Sequence, residues 1–515
     1  MAIVSLMEAK VTGRRVLSLK SPVDMSPIGQ LVCASAGDVD AAVAIARKAQ
    51  GPWAALSFEE RAEYMHRMLD IMLERQDKVL EVVIKETGKS PMDALNMEVF
   101  AACDSLNFYA NNAGKILKTR KQRVHGVMGL LKQLKTVYKP LGVVGIITPW
   151  NGPFILAINP TIQALMAGNA VILKGSEITP NSTKLVGDLF KEAGLPEGVL
   201  QVLMGDGEVG AALCTAGVDK ISFTGSVATG KKVAAACAAQ LIPCTLELGG
   251  KDAMIVCDDA DLDRAAAGAL VGSCMNTGHY CCGTERIYVH EAVYDAFLAK
   301  VLERARVMKQ GPQHGVDEDV GAVFWDRQMD IIERHVNAAV EQGAKVHVGG
   351  KRNPDLKGLY YEPTVMTEVT HSMEIMRDET FGPIACIMKV RDEDEAVQLA
   401  NDSPYGLNGT VWTKDKKKGF EIAQRIHTGS VCVNDMAVTY GIAEAAFGGR
   451  KESGLGQVNG ETGLKGYCYA MPIVIDRFGG KELPSAYPYS QKKMDQTRKV
   501  MKFLWGSRLM RKLLS

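Results

Sequence analysis

Between Val143 and Glu247 the chain alternates short apolar runs of strand type, Val143 to Ile147, Ala170 to Leu173, Val199 to Leu203 and Ile221 to Phe223, with stretches of helical period. Such continuous runs suit strands buried on both faces, and parallel neighbours need a crossover helix, so the series predicts a parallel sheet clad by helices. Two turns support it. Thr179-Pro180 sets a cap residue before a proline suited to the first helical position, and Gly194-Leu195-Pro196 ends that helix. A second α/β pattern runs from about Asp252 to Val433, and 515 residues allow two or three domains. Upstream the chain reads as largely helical. Asp38 to Ala49 has helical period, Ser57-Phe58-Glu59-Glu60 is a capping box, and a further helix runs to Thr87-Gly88. Phe447-Gly448-Gly449 and Gly454-Leu455-Gly456 read as loops.

Sixty basic side chains against fifty-nine acidic leave a net charge of +1, so no overall field gathers nucleic acid or an anionic membrane. Met1 to Arg15 lacks the apolar core of a leader, and no run reaches the eighteen or so apolar residues needed to span a bilayer, so cytoplasm is the expected compartment. The twelve cysteines are too sparse for a disulfide framework and read as buried thiols. Nine histidines without paired spacing, and His279-Tyr280-Cys281 alone, give too few ligands for a metal site. Gly205-Asp206-Gly207-Glu208-Val209-Gly210 fits a dinucleotide fingerprint literally. Asp219 stands short of the spacing of about twenty expected for a ribose carboxylate, so the glycines read as a tight turn.

More specific is a set of segments in fixed order: Thr148-Pro149-Trp150-Asn151, Lys174-Gly175-Ser176-Glu177, Phe223-Thr224-Gly225-Ser226, Glu247-Leu248-Gly249-Gly250-Lys251, Asn276 to Cys281, and Glu379-Thr380-Phe381-Gly382-Pro383. Together they resemble the aldehyde dehydrogenase superfamily, over roughly residues 20 to 475. The resemblance implies a parallel-sheet NAD-binding domain (1–120 and 141–248), a second α/β catalytic domain (249–455) and an oligomerisation arm (121–140 and 456–483) building homodimers or homotetramers; outside it lies a basic, apolar tail (484–515).

By that resemblance Cys281 is the nucleophile, five residues after Asn276, with His279 where the family usually has glutamine. A thiolate adds to an aldehyde carbonyl, hydride leaves, and a thioester results. Glu247 is then the base for the hydrolytic water, since a carboxylate among apolar groups has a raised pKa. The Asn151 amide and the Cys281 backbone N–H form the oxyanion hole. Lys174 and Glu177 match positions that hold the adenosine ribose, Gly225, Ser226 and Gly230 a helix N-terminus facing the pyrophosphate, and Glu379 and Phe381 the nicotinamide ribose; Trp150 and Leu248 complete the cofactor set. A carboxylate at 177 favours NAD, with NADP left open. Gly175 stands where proline is frequent. His279 reads as a polar neighbour of the nucleophile, which would lower the thiol pKa only if protonated.

Taken singly, each of these residues has a plainer structural reading: a buried thiol, a capping carboxylate, a turn asparagine. The rival enzyme, a CoA-acylating dehydrogenase, generally lacks the carboxylate at 247; a semialdehyde dehydrogenase of the same fold and a non-catalytic binding protein are the remaining rivals. Gly152 replaces a common aromatic and Asn159 stands where relatives carry arginine or tryptophan, which implies a roomy tunnel for medium-to-long or bulky apolar aldehydes. From Gln491 to Ser515 eight basic residues, with one acid, interleave with apolar ones without separating onto clean faces. That segment reads as peripheral contact with an anionic membrane surface, or as packing on a neighbouring subunit or over the substrate tunnel.

Overall fold

The computed structural model describes residues 3–6, 14–311, 315–436, 438–479 and 486–513. Pro484, Leu514 and Ser515 of the tail, and Met1 and Ala2 at the start, lie outside them. Two compact units are present: a large one, Met1–Ala113 with Pro140–Tyr467, and a small one, Gly114–Lys139 with Cys468–Ser515.

The large unit holds the expected βαβ series. Its first sheet runs, edge to edge, Gly454–Leu455, Cys244–Glu247, Lys220–Thr224, Val143–Ile147, Ala170–Lys174 and Leu200–Leu203. All its neighbours are parallel except the Gly454–Leu455 edge. Every residue of Val143–Ile147 and Ala170–Lys174 is buried, as continuous apolar runs require. Each fully buried Val, Ile or Leu contributes roughly 1.5–3 kcal/mol. The second sheet, seven strands from Lys345–Val348 to Cys432–Val433, is parallel apart from its Lys345–Val348 edge.

Local signals hold where the chemistry is local. Ser57 and Glu60 form the capping box of the helix Phe58–Glu74, and Gly88, at φ +68°, closes Gln76–Thr87. Gly205 turns at φ +148° and Asp206 caps Gly207–Thr215 while pairing with Arg15 at 3.0 Å, the tight turn expected there.

Three features depart from expectation. A three-stranded sheet, Val4–Leu6, Val16–Lys20 and Pro27–Val32, precedes the helices. Gly454–Leu455 is a strand, not a loop: it pairs antiparallel with Leu246 and Glu247. Thr179 precedes the helix Pro180–Glu192 but makes no side-chain cap. The buried Glu86 carboxylate does so instead, accepting from the N–H groups of Asn181 and Ser182, each at 2.7 Å, because a longer acid from a packed helix satisfies two orphan donors.

The small unit contains the sheet Cys468–Asp476, Lys132–Pro140, Arg120–Gln122, the short helix Gly126–Leu131 and the tail helices Gln491–Trp505 and Arg508–Leu513. Among the described residues no helix is long and apolar enough to cross a membrane.

Candidate active site

Strand Val143–Ile147 delivers the loop that carries Asn151. Lys89 Nζ donates to the Asn151 carbonyl at 3.1 Å and forms a fully buried ion pair with Glu98. Glu98 in turn accepts from the N–H groups of Phe154 (3.1 Å) and Ile155 (2.8 Å), capping the helix Ile155–Met166. A buried pair with further hydrogen bonds at both partners stays in place, and this one clamps both sides of the asparagine. The Asn151 amide donates to the carbonyl of His279 at 3.1 Å, tying the two loops together.

The second loop follows the helix Leu262–Cys274. Asn276 and Thr277 both adopt left-handed backbone, φ +56° and +57°, and Gly278 continues at +74°. Two consecutive non-glycine residues there store strain of order 1–3 kcal/mol each, which persists only where the surroundings over-determine it. Asn276 supplies that constraint: its N–H donates to Asp93 at 2.8 Å and its side-chain amide to the carbonyls of Asn151 (2.9 Å) and His279 (2.7 Å). Gly278 is obligatory, since a Cβ would collide with the Gly382 carbonyl.

The turn places Cys281 half-buried and Cys282 inside the core, where burial pushes the Cys282 thiol well up. His279 does not charge. Its ring is buried against Phe324 (4.5 Å) and Trp150 (5.1 Å), Nδ1 meets the Asn276 carbonyl at 3.0 Å, and desolvation holds its pKa down at about 3. His279 is thus a neutral polar neighbour of the nucleophile that packs and hydrogen-bonds, and it provides no imidazolium to lower the thiol pKa.

Glu247 ends the strand Cys244–Glu247. Its carboxylate is buried, and neither oxygen has a hydrogen-bond partner among the described residues. Desolvation first, and the nearby Cys281 charge second, raise its pKa well above the carboxylate range.

Two cavities meet at Asn151 and Cys281. One, of about 570 Å³, is walled mainly by apolar side chains such as Met97, Phe100, Leu156, Val271 and Met275. The other, of about 280 Å³, is lined by Glu247 and Gly249, by Gly225 and Ser226, and by Glu379 and Phe381, with Trp150 and Leu248. Trp325 and Gln328 also line it and were not anticipated; Gln328 donates to the Thr380 carbonyl at 2.8 Å. Glu379 accepts from the Gly250 N–H at 2.9 Å, and burial pushes its carboxyl up to about 8. A Cβ at Gly249 would run into that carboxyl, so only a bare backbone can pass so close. Phe381 has φ +50°, held by Glu285, which accepts from the N–H groups of Thr380 (2.8 Å) and Phe381 (3.1 Å) and pairs with Lys251.

Lys174, Glu177 and Gly230 do not line this cavity. Lys174, which ends the strand Ala170–Lys174, lies 3.6 Å from Glu177 just beyond it, and burial lowers the Lys174 pKa. Ser226 caps the helix Val227–Ala239. Gly230 stands one turn inside that helix with its N–H committed to the Ser226 carbonyl at 2.9 Å. Gly230 also packs closely, since a Cβ there would meet Leu248 at 2.5 Å. Gly175 is similarly set, its absent Cβ leaving room for Thr183. Asn159 is also relocated: it sits in a buried network with Ser105 (2.7 Å), Asn459 (2.8 Å) and Tyr440 (3.2 Å) instead of lining the apolar cavity.

Residues 9–473 match the aldehyde dehydrogenase family. A 4,4'-diapolycopene aldehyde oxidase of Methylomonas sp is 36% identical over 94% of this chain and 91% of its own. A putative succinate-semialdehyde dehydrogenase of Mycobacterium ulcerans, named for NADP(+), is 38% identical over 91% and 89%. The crystal structure of a Mycobacterium tuberculosis aldehyde dehydrogenase complexed with NAD+ superposes with a TM-score of 0.86 at 35% identity, covering 91% of this chain and 96% of that one. The chain belongs to the aldehyde dehydrogenase family, enzymes that oxidise aldehydes with a nicotinamide dinucleotide.

Proposed function

We propose that this enzyme oxidises medium-to-long or bulky apolar aldehydes to carboxylic acids, with Cys281 as nucleophile, Asn151 as oxyanion donor and Glu247 as general base. The observation that carries it is the meeting of an apolar cavity and a polar one at Asn151 and Cys281. The Cys281 thiolate adds to the carbonyl carbon, and the new oxyanion is stabilised by the Asn151 amide and the Cys281 N–H. The nicotinamide supplies the hydride acceptor. Glu247, deprotonated, takes a proton from water as the hydroxyl oxygen attacks the thioester carbon; the C–S bond breaks and the Cys281 sulfur leaves.

The residues fit a dinucleotide. The Ser226-capped helix turns N–H donors outward, Glu379 stands beside a bare glycine backbone for a ribose, and Lys174 with Glu177 suits a second ribose bearing free hydroxyls. NAD is preferred, and NADP remains a permitted partner. We assign residues 1–120 and 141–248 to cofactor binding, 249–455 to catalysis and 121–140 with 456–483 to assembly of a homodimer or homotetramer. Residues 491–515 touch an anionic membrane surface.

NADH formation over a panel from short aliphatic to long-chain, aromatic, succinic-semialdehyde and betaine-aldehyde substrates tests the reading. Turnover concentrated on long or bulky apolar aldehydes and absent in Cys281→Ala supports it. Preference for succinic semialdehyde, toward which the exposed Arg264 at the apolar cavity would point, overturns the substrate class.

A further inference from the structure

A backbone carbonyl can only accept, and that of Tyr440 sets the direction of a whole buried network. It takes a hydrogen bond from Nδ2 of Asn459 at 2.9 Å. Oδ1 of Asn459 therefore faces inward, where it accepts from Nδ2 of Asn159 (2.8 Å) and Nε2 of Gln163 (3.2 Å). Oδ1 of Asn159 accepts in turn from Nε2 of Gln163 (3.2 Å) and Oγ of Ser105 (2.7 Å), and the second N–H of Asn159 donates to the phenolic oxygen of Tyr440 at 3.2 Å. Ser105, Asn159, Gln163 and Asn459 are all buried. An amide nitrogen cannot accept, so the phenol must send its own proton elsewhere. Among the described residues no acceptor stands within hydrogen-bond distance of it, and both Glu247 oxygens are without a partner. Desolvation first, with the Cys281 and Glu247 charges after it, raises the phenol pKa, so the proton stays on the oxygen. Tyr440 lines the apolar cavity of about 570 Å³ together with Cys281 and Asn151.

A wholly apolar ligand that displaced water from such a donor would leave it unsatisfied, whereas a ligand oxygen would meet it. In the proposed mechanism the aldehyde oxygen is already served by the Asn151 amide and the Cys281 N–H, one for each of its lone pairs. The phenol is left for a second oxygen. We infer that Tyr440 is a specificity-determining residue, donating a hydrogen bond to an ether, keto or hydroxyl oxygen that the substrate carries close to its carbonyl. Asn159 is the positioning residue that turns this donor toward the cavity. The preferred substrate is then, on the reading of an apolar aldehyde at Cys281 on which this rests, mainly apolar but oxygenated beside the reacting carbon.

Phenoxyacetaldehyde and hydrocinnamaldehyde test it, since they share length and ring and differ by an ether oxygen in place of one methylene. Their kcat and KM are measured with the full-length wild type, Tyr440→Phe and Asn159→Asp. Because the ether also activates the carbonyl, the quantity read is the change in the ratio between the two substrates. Tyr440→Phe, which removes only the O–H, should lower kcat/KM for phenoxyacetaldehyde by about tenfold, mostly through KM, and leave hydrocinnamaldehyde within about twofold. Asn159→Asp keeps the phenol but gives its proton an acceptor, and should repeat the selective loss. An unchanged ratio in Tyr440→Phe overturns the inference. Equal losses on both substrates overturn it as well, moving the phenol to the carbonyl or the hydrolytic water while the apolar-aldehyde reading stands. A wild-type ratio in Asn159→Asp overturns the positioning role. Wild type that oxidises neither aldehyde but turns over succinic semialdehyde overturns the apolar-aldehyde reading itself, and the inference falls with it.

Discussion

The two units of this enzyme handle charge in opposite ways. Set against the small unit's eighteen cations and three acids, the remainder of the chain holds forty-two basic and fifty-six acidic side chains. In the large unit the informative charges are buried: Lys89 with Glu98, Lys251 with Glu285, Glu86 under a helix N-terminus, Glu247 without a partner among the described residues. In the small unit they are mostly at the surface. Buried charges fix geometry and tune chemistry at close range, and salt hardly reaches them; exposed ones act collectively, and salt screens them. One protein therefore should show salt-insensitive catalysis and salt-sensitive attachment.

The largest effect that sharpens this contrast is loss of the proposed nucleophile. Cys281→Ala should lower aldehyde turnover by about 10⁴-fold or more, read as NADH formation, while leaving vesicle binding unchanged. Next comes the clamp. Lys89→Met leaves Glu98 charged and buried without its cation, and should destabilise the large unit by about 3–5 kcal/mol, measured by denaturant unfolding. If 0.5 M salt rescues the variant, the pair is not the buried element described. Asn151→Ala should reduce kcat by about 10²- to 10³-fold with cofactor affinity little changed, since the amide is needed only once the oxyanion forms.

What the sequence disclosed, and what it hid, follows the same division. The βαβ strands, the Ser57–Glu60 box and Gly88 were readable because each rests on neighbours a few residues away. The six ordered motifs picked out Cys281, Glu247 and Asn151, which the fold brings to the walls of one cavity, and the spacing holds even with His279 in place of glutamine. The supports behind them were not legible. Nothing local marks Lys89 and Glu98 as buried, or joins Asp93 to the Asn276 N–H 183 positions away. Gly454–Leu455 is two residues long and is a strand only because Glu247's strand has a free edge. The N-terminal sheet pairs segments too short and mixed to outvote the helices that follow. Segregated charge was invisible in the total, because it depends on which distant segments the fold gathers.

As the proposed general base, Glu247 makes the pH dependence of the chemistry directional. A base works in its deprotonated form, and burial raises its pKa, so the hydrolytic step should accelerate as pH rises through a value well above the ordinary carboxylate range. Pre-steady-state measurements would show it as an NADH burst that persists at low pH while the steady rate falls. Glu247→Gln should keep the burst and lose that pH response. A burst that declines in parallel with the steady rate would move the titration to an earlier step.

The smallest effect concerns Glu86, whose carboxyl burial pushes up to about 7 even though three donors from Asn181 and Ser182 pull the other way. A folded pKa above the unfolded one means the folded protein binds the proton more tightly. The stability so gained is complete below the unfolded value of about 4.3 and is lost as pH rises through about 7. Glu86→Gln cannot titrate, and its single carbonyl oxygen serves donors that two carboxylate oxygens share in the wild type. The variant should melt lower throughout, with its deficit shrinking between pH 5.5 and 8.5 as the wild type loses its proton-linked advantage. A deficit that grows over the same range would mean that the donors of the helix Pro180–Glu192 outweigh desolvation and keep Glu86 ionised in the fold. Salt separates the units again here: this deficit should be the same at low and high ionic strength, because the Glu86 carboxyl and its Ser182 donors are buried, whereas vesicle binding by the small unit should weaken steeply.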